Sequence, residues 1–282
     1  MRNTSVRSLL LCVAIAASVA LNGCGAIVTT SVEDAMARAR QDMRPQVEAG
    51  LKQAGVLTVG LLAGSEPPYV MTADGRLGGM DVEVAGALAD ELGLRASFVS
   101  VADPAAALAG TCDVVMSVGA DASGVSVLGA YGSAGIAFFR KGPAGVATGA
   151  DLADRSVGLQ EGSTSQQRLR RTTLGMAETP FDSLNKAFDA LDAGQVEYVL
   201  CPVSMGAYLT LLHPSVVFCG MLEAPSARGV GVSAQEGEVP AAVRAAFGRI
   251  EANGVLAEAR RRSLGELPQL TPESQVAGVT IL

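Results

Sequence analysis

The chain contains one histidine, His213, and this restricts the chemistry available to its side chains. A Ser-His-Asp triad and a His-rich metal site both need histidine. His213 precedes Pro214 in a polar turn that we expect to face solvent. We therefore predict no catalytic residues, no metal site and no cofactor.

A cluster of hydroxyl side chains, Ser163, Thr164 and Ser165, lies at the start of a predicted helix over about residues 164–172. The first N–H groups of a helix lack intrahelical acceptors and attract an anion or a carbonyl oxygen. Simple capping of that helix by a serine or threonine explains the cluster equally well. The sequence leaves both interpretations open.

The N-terminus has the pattern of an export signal. Two arginines precede an apolar stretch at positions 9–21, which is shorter than the roughly 20 residues that span a bilayer. The following tetrapeptide, Leu21–Cys24, resembles the bacterial lipobox. We expect residues 1–23 to be removed and Cys24 to carry lipid such as palmitate. An ordinary signal peptide and an uncleaved anchor are the alternatives.

Composition sets further bounds. The 282 residues carry a formal net charge of −7 and are 49% hydrophobic. This length supports one large or two small domains with a buried core. Because a nucleic-acid binder would carry a basic face, the acidic balance argues against that class.

Two cysteines are candidates for a disulfide. An exported chain meets conditions in which disulfides persist. Cys201 and Cys219 lie in two nearby apolar runs, VEYVLCP and VVFCGM. They either form a disulfide or remain two small buried hydrophobic side chains. One further cysteine, Cys112, is left over in both cases.

The segment after the lipobox, residues 25–54, is predicted to form a tether with a helix. Thr30–Glu33 is a capping-box pattern, and apolar residues up to Leu51 recur at roughly helical spacing. Pro45 interrupts the pattern and is expected to kink or split the helix.

Beyond the tether, β-branched runs alternate with amphipathic segments. VLTVGLL at 56–62 and DVVMSVG at 113–119 predict strands. Asp81 is expected to cap a helix over 81–92 that ends at Gly93. The alternation predicts parallel strands with crossover helices, and hence an α/β fold.

The order of these segments resembles the bacterial extracellular solute-binding proteins of the polar amino-acid type, the receptors of ABC importers. The resemblance covers about residues 55–263. Its first part, LTVGLLAGSEPPYVMTADGRLGGMDVEVAGALADELGL, is similar to a strand, a Pro-Pro-aromatic loop, a hairpin and a Gly-aromatic-Asp motif. The later parts are DVVMSVG, DLADRSVGLQEGSTS, FDSLNKAFDALDAGQVEYVL and NGVLAEARRRSLGE. Their order and spacing together are more specific than any one motif.

This resemblance implies a type II periplasmic-binding-protein fold, in which two α/β lobes joined by two crossing strands close on a ligand. The implied hinge strands lie near 136–142 and 220–232. The implied division is a signal peptide at 1–23, a tether and N-terminal helix at 24–54, lobe 1 at 55–137 and 228–263, hinge strands and lobe 2 at 138–227, and a C-terminal tail at 264–282.

The resemblance also shows what is missing from the cleft. The family pairs the carboxylate of an amino acid with an Arg and its ammonium with an Asp. No Lys or Arg occurs here from residue 96 to 139. Cys201-Pro202 stands at the Asp position, and no Asp or Glu occurs from residue 198 to 222. The sequence therefore predicts an uncharged cleft in which ordinary zwitterion binding is weak.

Nine side chains remain as ligand-binding candidates, because the resemblance assigns them to the cleft. They are Tyr69, Met80, Ser117, Val118, Gln160, Ser163, Thr164, Ser165 and Pro202. Tyr69 would pack on the ligand, and Met80 replaces a second aromatic as a more adaptable wall.

The implied function is that of an extracytoplasmic substrate-binding lipoprotein of an ABC-type importer, binding a small neutral or weakly polar solute by lobe closure. Its partners would be the solute, the membrane through the lipid anchor, and an ABC permease, with the chain a monomer on the periplasmic or cell-surface face. One alternative is a degenerate binding fold that acts as a sensory or interaction partner without transport. Another is a lyase or dehydratase on the same scaffold, for which Glu66 is the nearby acid or base.

Overall fold

The computed structural model describes Val47 and residues 49–282. The predicted signal peptide, Cys24 and the tether up to residue 46 lie outside the described residues. Within the described part of the chain, no helix is long and apolar enough to cross a membrane.

Strands and helices alternate along the described residues, as the sequence predicted. The strands are β1 (Val56–Leu62), β2 (Met71–Ala73), β3 (Arg76–Gly78), β4 (Arg95–Val101), β5 (Val114–Gly119), β6 (Val125–Ala134), β7 (Ile136–Lys141), β8 (Ser156–Gln160), β9 (Ala177–Phe181), β10 (Tyr198–Pro202), β11 (Val216–Met221) and β12 (Ser226–Ser233). The helices are α1 (Met80–Leu92), α2 (Pro104–Gly110), α3 (Gly149–Leu152), α4 (Thr164–Leu169), α5 (Leu184–Asp192), α6 (Val203–Thr210), α7 (Glu238–Ala252) and α8 (Val255–Leu264).

The end of the predicted tether belongs to the folded body. Residues 49–54 contain no helix, contrary to the prediction for this stretch. Leu51 packs against the apolar cluster of the first sheet, and the backbone N–H of Lys52 donates to Asp113 Oδ1 at 2.9 Å. These contacts attach the chain to the sheet before β1 begins.

The first lobe is a five-stranded sheet in the order β4-β1-β5-β12-β6. β1 is parallel to β4 and β5, whereas β12 is antiparallel to both of its neighbours. The Val and Leu run of β1 is buried along most of its length, as expected for a parallel strand covered on both faces. β12 thus returns from late in the chain to complete the sheet.

Helix α1 covers this sheet. Its predicted apolar face, which includes Leu88, is buried, and Gly93 ends the helix with a left-handed φ of 67°. The prediction that Asp81 caps the helix is wrong. The helix starts at Met80, and the buried Asp81 side chain is hydrogen-bonded to other elements of the lobe.

The second lobe is a five-stranded sheet in the order β11-β7-β10-β8-β9. β7 is antiparallel to β10 and β11, and β8 is parallel to β9 and β10. The aromatic rings of Phe139, Phe188 and Phe218 pack together on one face, with ring centroids 5.7 and 6.1 Å apart. These contacts hold β7 against α5 and β11.

Two crossing connections join the sheets. β6 continues into β7 through Gly135, whose φ of 136° favours glycine. β11 leads into β12 through residues 222–225. The crossing at 222–225 lies within the second predicted hinge strand, 220–232. Gly135 lies just before the first, 136–142, which is largely strand β7 of the second sheet. The residue boundaries assigned to the lobes stay a prediction.

The C-terminal tail adds a third connection. It leaves α8, which packs on the first lobe, and runs along the second lobe. The N–H of Val276 donates to Met221 O at 2.9 Å, and the N–H of Leu282 donates to Arg171 O at 2.6 Å. Val276 is buried in an apolar cluster of the second lobe. The tail is therefore part of that lobe's packing.

The possible disulfide between Cys201 and Cys219 is not present. Both thiols are free and buried. Cys201 lies on β10 and Cys219 on β11, with β7 between these strands. The two side chains also belong to apolar clusters on different faces of the sheet. The second interpretation in the sequence, small buried hydrophobic side chains, is the one observed.

We expect Cys112, Cys201 and Cys219 all to be alkylated when the protein is unfolded without a reductant. Burial raises the pKa of the Cys219 thiol to about 12 and that of Cys201 still further, so both should react slowly in the native protein. Peptide mapping by mass spectrometry measures this. Recovery of a peptide that links Cys201 to Cys219 would contradict the structure.

Candidate functional site

A cavity of about 300 Å³ lies between the two sheets, next to the crossing strands. It is bordered by the end of β1 and the loop after it, by the residues at the crossing, and by the start of α6 in the second lobe. Its lining residues are Leu62, Ala63, Gly64, Ser65, Glu66, Tyr69, Ser117, Ala134, Gly135, Pro202, Ser204 and Arg228. We call this cavity the cleft. Its lining includes residues of both lobes, as expected for a ligand site between two domains.

Three of the predicted ligand-binding residues, Tyr69, Ser117 and Pro202, line the cleft. Met80 and Val118 do not, because both are buried in the first lobe among apolar side chains. The structure thus gives Met80 a core position where the sequence predicted a ligand wall.

The predicted residues of the second lobe lie elsewhere. Gln160, Thr164 and Ser165 are not among the lining residues of the cleft. Ser163 is the N-cap of α4, where its Oγ accepts from the N–H of Gln166 at 3.2 Å. The capping interpretation therefore describes Ser163 in this structure. A ligand contact by these four residues stays a prediction.

Tyr69 lines the cleft, and its hydroxyl is already engaged with the first lobe. That hydroxyl donates to Ser133 O and accepts from Ser133 N, each at 2.9 Å. Burial raises the pKa of Tyr69 to about 12. A Cβ at Gly132 would lie 2.5 Å from Tyr69 Oη, so this close approach requires glycine. Tyr69 thus attaches the loop after β1 to the crossing strand β6.

Ser117 is held by a buried network beneath the cleft. It has a left-handed φ of 55°. Its Oγ donates to Asp81 Oδ1 at 2.8 Å, and its N–H donates to Tyr131 Oη at 2.7 Å. Tyr131 Oη in turn donates to Asp81 Oδ1 at 2.6 Å. This unusual backbone conformation is therefore supported by two side chains from other elements.

Asp81 supplies the negative charge of this network. Its side chain is fully buried, and Oδ2 has no hydrogen-bond partner among the described residues. Desolvation raises the pKa of Asp81 to about 6, although the hydrogen bonds from Tyr131 and Ser117 act in the opposite direction. At neutral pH the ionised form of Asp81 is therefore less favourable in the folded protein than in water.

Arg228 brings a guanidinium into the cleft, and the sequence analysis missed it. Arg228 lies on β12, opposite Gly119 of β5 in the sheet register. Its Nη1 is 3.4 Å from the carbonyl oxygen of Ser117, a long hydrogen bond. No carboxylate among the described residues forms an ion pair with it. The prediction of an uncharged cleft is therefore wrong.

One signal in the sequence pointed to this arginine. Arg228 falls within the predicted hinge strand at 220–232, which has to pass the cleft, and it is the one arginine between Arg171 and Arg244. The segment in which the resemblance places the family's cation, within residues 96–139, contains no Lys or Arg.

Glu66 is the one carboxylate among the lining residues of the cleft. It is exposed on the loop after β1. Among the described residues, none forms a hydrogen bond or ion pair with its side chain. The second lobe contributes Pro202 and Ser204 to the lining of the cleft. The lining of the cleft therefore includes one cation, Arg228, and one carboxylate, Glu66, which is not held in place.

A second cavity, of about 360 Å³, lies on the second lobe beneath the tail. Its walls are mostly apolar, among them Phe139, Val146 and Phe218. Its polar lining residues, Thr210, Glu266, Thr271, Glu273 and Ser274, come mostly from the tail, and the lining contains no cation. In the described part of the chain, no group of three or more His, Cys, Asp or Glu residues has the arrangement of a metal site.

No protein-family model and no curated protein matches the sequence. Solved structures do match. An ancestral cationic amino-acid solute-binding protein, AncCDT-1, is 23% identical, covers 74% of this chain and 96% of its own, and has a TM-score of 0.59. The L-cystine solute receptor of Neisseria gonorrhoeae, unliganded and open, is 22% identical with coverages of 78% and 95% and a TM-score of 0.59. Substrate-binding domain 2 of Lactococcus lactis GlnP, also open, is 17% identical with coverages of 79% and 100% and a TM-score of 0.58.

These similarities establish the fold. The chain has the two-lobed α/β fold of type II periplasmic binding proteins, as the sequence predicted. At such low identity they leave the ligand to be argued from the residues of the cleft.

Proposed function

We propose that this protein is the extracytoplasmic substrate-binding lipoprotein of an ABC-type importer, and that its lobes close on a small solute with one anionic group. The observation that carries this proposal is Arg228, a guanidinium that lines the cleft between the lobes and forms no ion pair with any described residue. Lipid on Cys24 would hold the monomer at the outer face of the membrane, where a permease would recognise the closed form.

The charge of the ligand follows from the lining of the cleft. A guanidinium presents a planar fork of donors that matches a carboxylate in two hydrogen bonds. Tyr69 adds an aromatic surface, and Ser204 adds a hydroxyl from the second lobe. The resemblance places Pro202 at the family's Asp, and no described residue of the second lobe that lines the cleft carries a carboxylate for an ammonium group. The proposed ligand is therefore a small carboxylate that does not depend on an amino group for its affinity.

An enzymatic role is less well supported. A lyase or dehydratase needs an acid or base that is positioned against the substrate. Glu66 is the carboxylate that lines the cleft, but its side chain is exposed and is not oriented by any of the described residues. Binding of a carboxylate, by contrast, requires only the guanidinium of Arg228, the ring of Tyr69 and the hydroxyl of Ser204.

A thermal-shift screen of small solutes tests the proposal. A library with matched carboxylate, neutral and cationic members is added to the purified protein. A ligand at 100 times its Kd stabilises a protein by about 2.7 kcal/mol, which raises Tm by roughly 5–10 °C for a chain of this size. We expect such rises from carboxylates, and none from their amides or methyl esters.

The screen also separates the alternatives. If only neutral or cationic solutes raise Tm, the proposed ligand class is wrong. If no solute in a broad library does so, the degenerate binding fold that serves as an interaction partner becomes the better explanation.

A further inference from the structure

A further pocket, of about 210 Å³, lies at the hinge, in addition to the two cavities described above. None of its lining residues lines the cleft. Ser133 of β6 and Ala227 of β12, which are partners in the sheet register, form one side. Residues 269–272 of the tail form another, and Arg260 of α8 also lines the pocket. Both crossing strands and the tail therefore border it. We call it the hinge pocket.

Arg260 differs from the two arginines that follow it. Arg261 and Arg262 are exposed and both pair with Glu258, at 2.9 and 2.8 Å. Arg260 is half-buried, and its Nη1 donates to the carbonyl oxygen of Tyr131 at 2.6 Å. Among the described residues, no carboxylate lies within ion-pair distance of Arg260.

This arrangement leaves a cation without a counter-ion. Desolvation lowers the pKa of Arg260, but an arginine remains protonated at any physiological pH. A partly buried charge without an opposite partner is costly, and an anion that reaches it relieves that cost. The pocket lining contains no Asp or Glu, whereas Ser133, Gln269 and Thr271 offer hydroxyl and amide groups.

We propose that the hinge pocket binds a small oxyanion, such as phosphate, sulfate or a simple carboxylate, through the guanidinium of Arg260. A tetrahedral or planar oxyanion uses several guanidinium donors at once, and its remaining oxygens can accept from Gln269 or Thr271. Because the crossing strands and the tail all border the pocket, the bound ion ties the three connections between the lobes together.

Sulfate is the probe in the test, with chloride at equal ionic strength as the reference. Tm of the full mature protein is measured against sulfate concentration for the wild type and for Arg260→Met, Arg261→Met and Arg228→Met. We expect a saturable rise of a few degrees in the wild type and the same rise in Arg261→Met. Arg228→Met measures any part of the rise that comes from sulfate in the cleft. In Arg260→Met the rise should be lost, or its midpoint shifted to about tenfold higher sulfate or more. The general stabilising action of sulfate is not saturable and is common to all four proteins.

The other outcomes overturn the proposal. One is the absence of a saturable rise in the wild type, and another is a rise that persists in Arg260→Met. If the sulfate-dependent rise in Tm is lost in Arg228→Met but kept in Arg260→Met, sulfate binds in the cleft. That result contradicts an anion site in the hinge pocket, but it leaves the proposed function intact. If Arg260→Met does not fold, Arg260→Lys takes its place, because it keeps the charge but loses the fork and should bind sulfate several-fold more weakly.

Discussion

Replacing Arg228 by methionine is expected to weaken binding of the proposed anionic solute by roughly 30-fold to several thousand-fold. Removing one partner of a buried, hydrogen-bonded charge pair costs about 2–5 kcal/mol, and each 1.4 kcal/mol is a factor of ten in Kd. Arg228 is the one cation among the residues that line the cleft. Methionine keeps much of the length and apolar volume of the arginine side chain. The loss of affinity therefore measures the contribution of the guanidinium rather than that of packing.

Titration calorimetry with the best solute of the thermal-shift screen measures this effect. The Kd of Arg228→Lys should lie between those of the wild type and Arg228→Met, because the lysine ammonium keeps the charge but cannot form the two parallel hydrogen bonds. Arg155→Met is the matched control, since Arg155 is exposed and pairs with Glu197 at 3.0 Å, outside the cleft. Equal affinity of Arg228→Met and wild type would show that the ligand does not use this guanidinium.

Replacing Tyr131 by phenylalanine is expected to lower the free energy of unfolding by about 3 kcal/mol or more. The Tyr131 hydroxyl donates to Asp81 and accepts from the N–H of Ser117. Its loss leaves a buried carboxylate with one donor and a buried N–H without an acceptor, and each such group costs about 1–3 kcal/mol. Tyr208→Phe is the control, since no described residue is hydrogen-bonded to the hydroxyl of Tyr208.

The effect of Tyr131→Phe should also depend on pH. Burial raises the pKa of Asp81 from 3.8 to about 6 in the folded protein, so the folded form binds a proton more tightly than the unfolded chain. The contribution of Asp81 to stability is therefore complete below about pH 4 and is lost as pH rises through 6. A shift of this size corresponds to about 3 kcal/mol.

Without the donor from Tyr131, the pKa of Asp81 rises further. At pH 4.5 the variant should therefore be less stable than the wild type by the pH-independent cost of the unpaired Ser117 N–H, about 1–3 kcal/mol. At pH 8 the difference in the free energy of unfolding should be larger, because the ionised Asp81 has also lost a donor. Urea unfolding at both pH values measures the difference between the two proteins. A cost that is the same at both, or below about 1 kcal/mol, would mean that Tyr131 does not stabilise an ionised Asp81.

The order of elements could be predicted because its signals are local. VLTVGLL matches β1 residue for residue, since a run of Val and Leu is typical of a strand buried on both faces. Gly93 ends α1 because a left-handed C-cap favours glycine. The two-lobed architecture followed from the sequence of such segments together with their resemblance to one family.

The charged groups of the site could not be predicted in this way, because their positions depend on sheet register. Arg228 reaches the cleft through the pairing of β12 with β5 and β6, which come far earlier in the chain. Asp81 stands where a helix cap is expected from the sequence, yet its buried carboxylate accepts hydrogen bonds from Ser117 and Tyr131 instead. Local periodicity carries no information on either pairing.

The cysteines illustrate the same limit. Cys219 lies at a register shift in β11, between Phe218 and Gly220, where the pairing with β7 is irregular. Such an irregularity changes which face of the sheet a side chain occupies. The apolar runs around Cys201 and Cys219 are alike in sequence, but their side chains face different clusters.

Native mass spectrometry of the protein and of the solutes released from it tests the central claim most directly. The wild type and Arg228→Met are purified in parallel, and each is examined before and after denaturation. We predict that the wild type carries one small carboxylate at a one-to-one ratio and that Arg228→Met carries none. A neutral or cationic solute present in equal amount in both proteins would contradict the account.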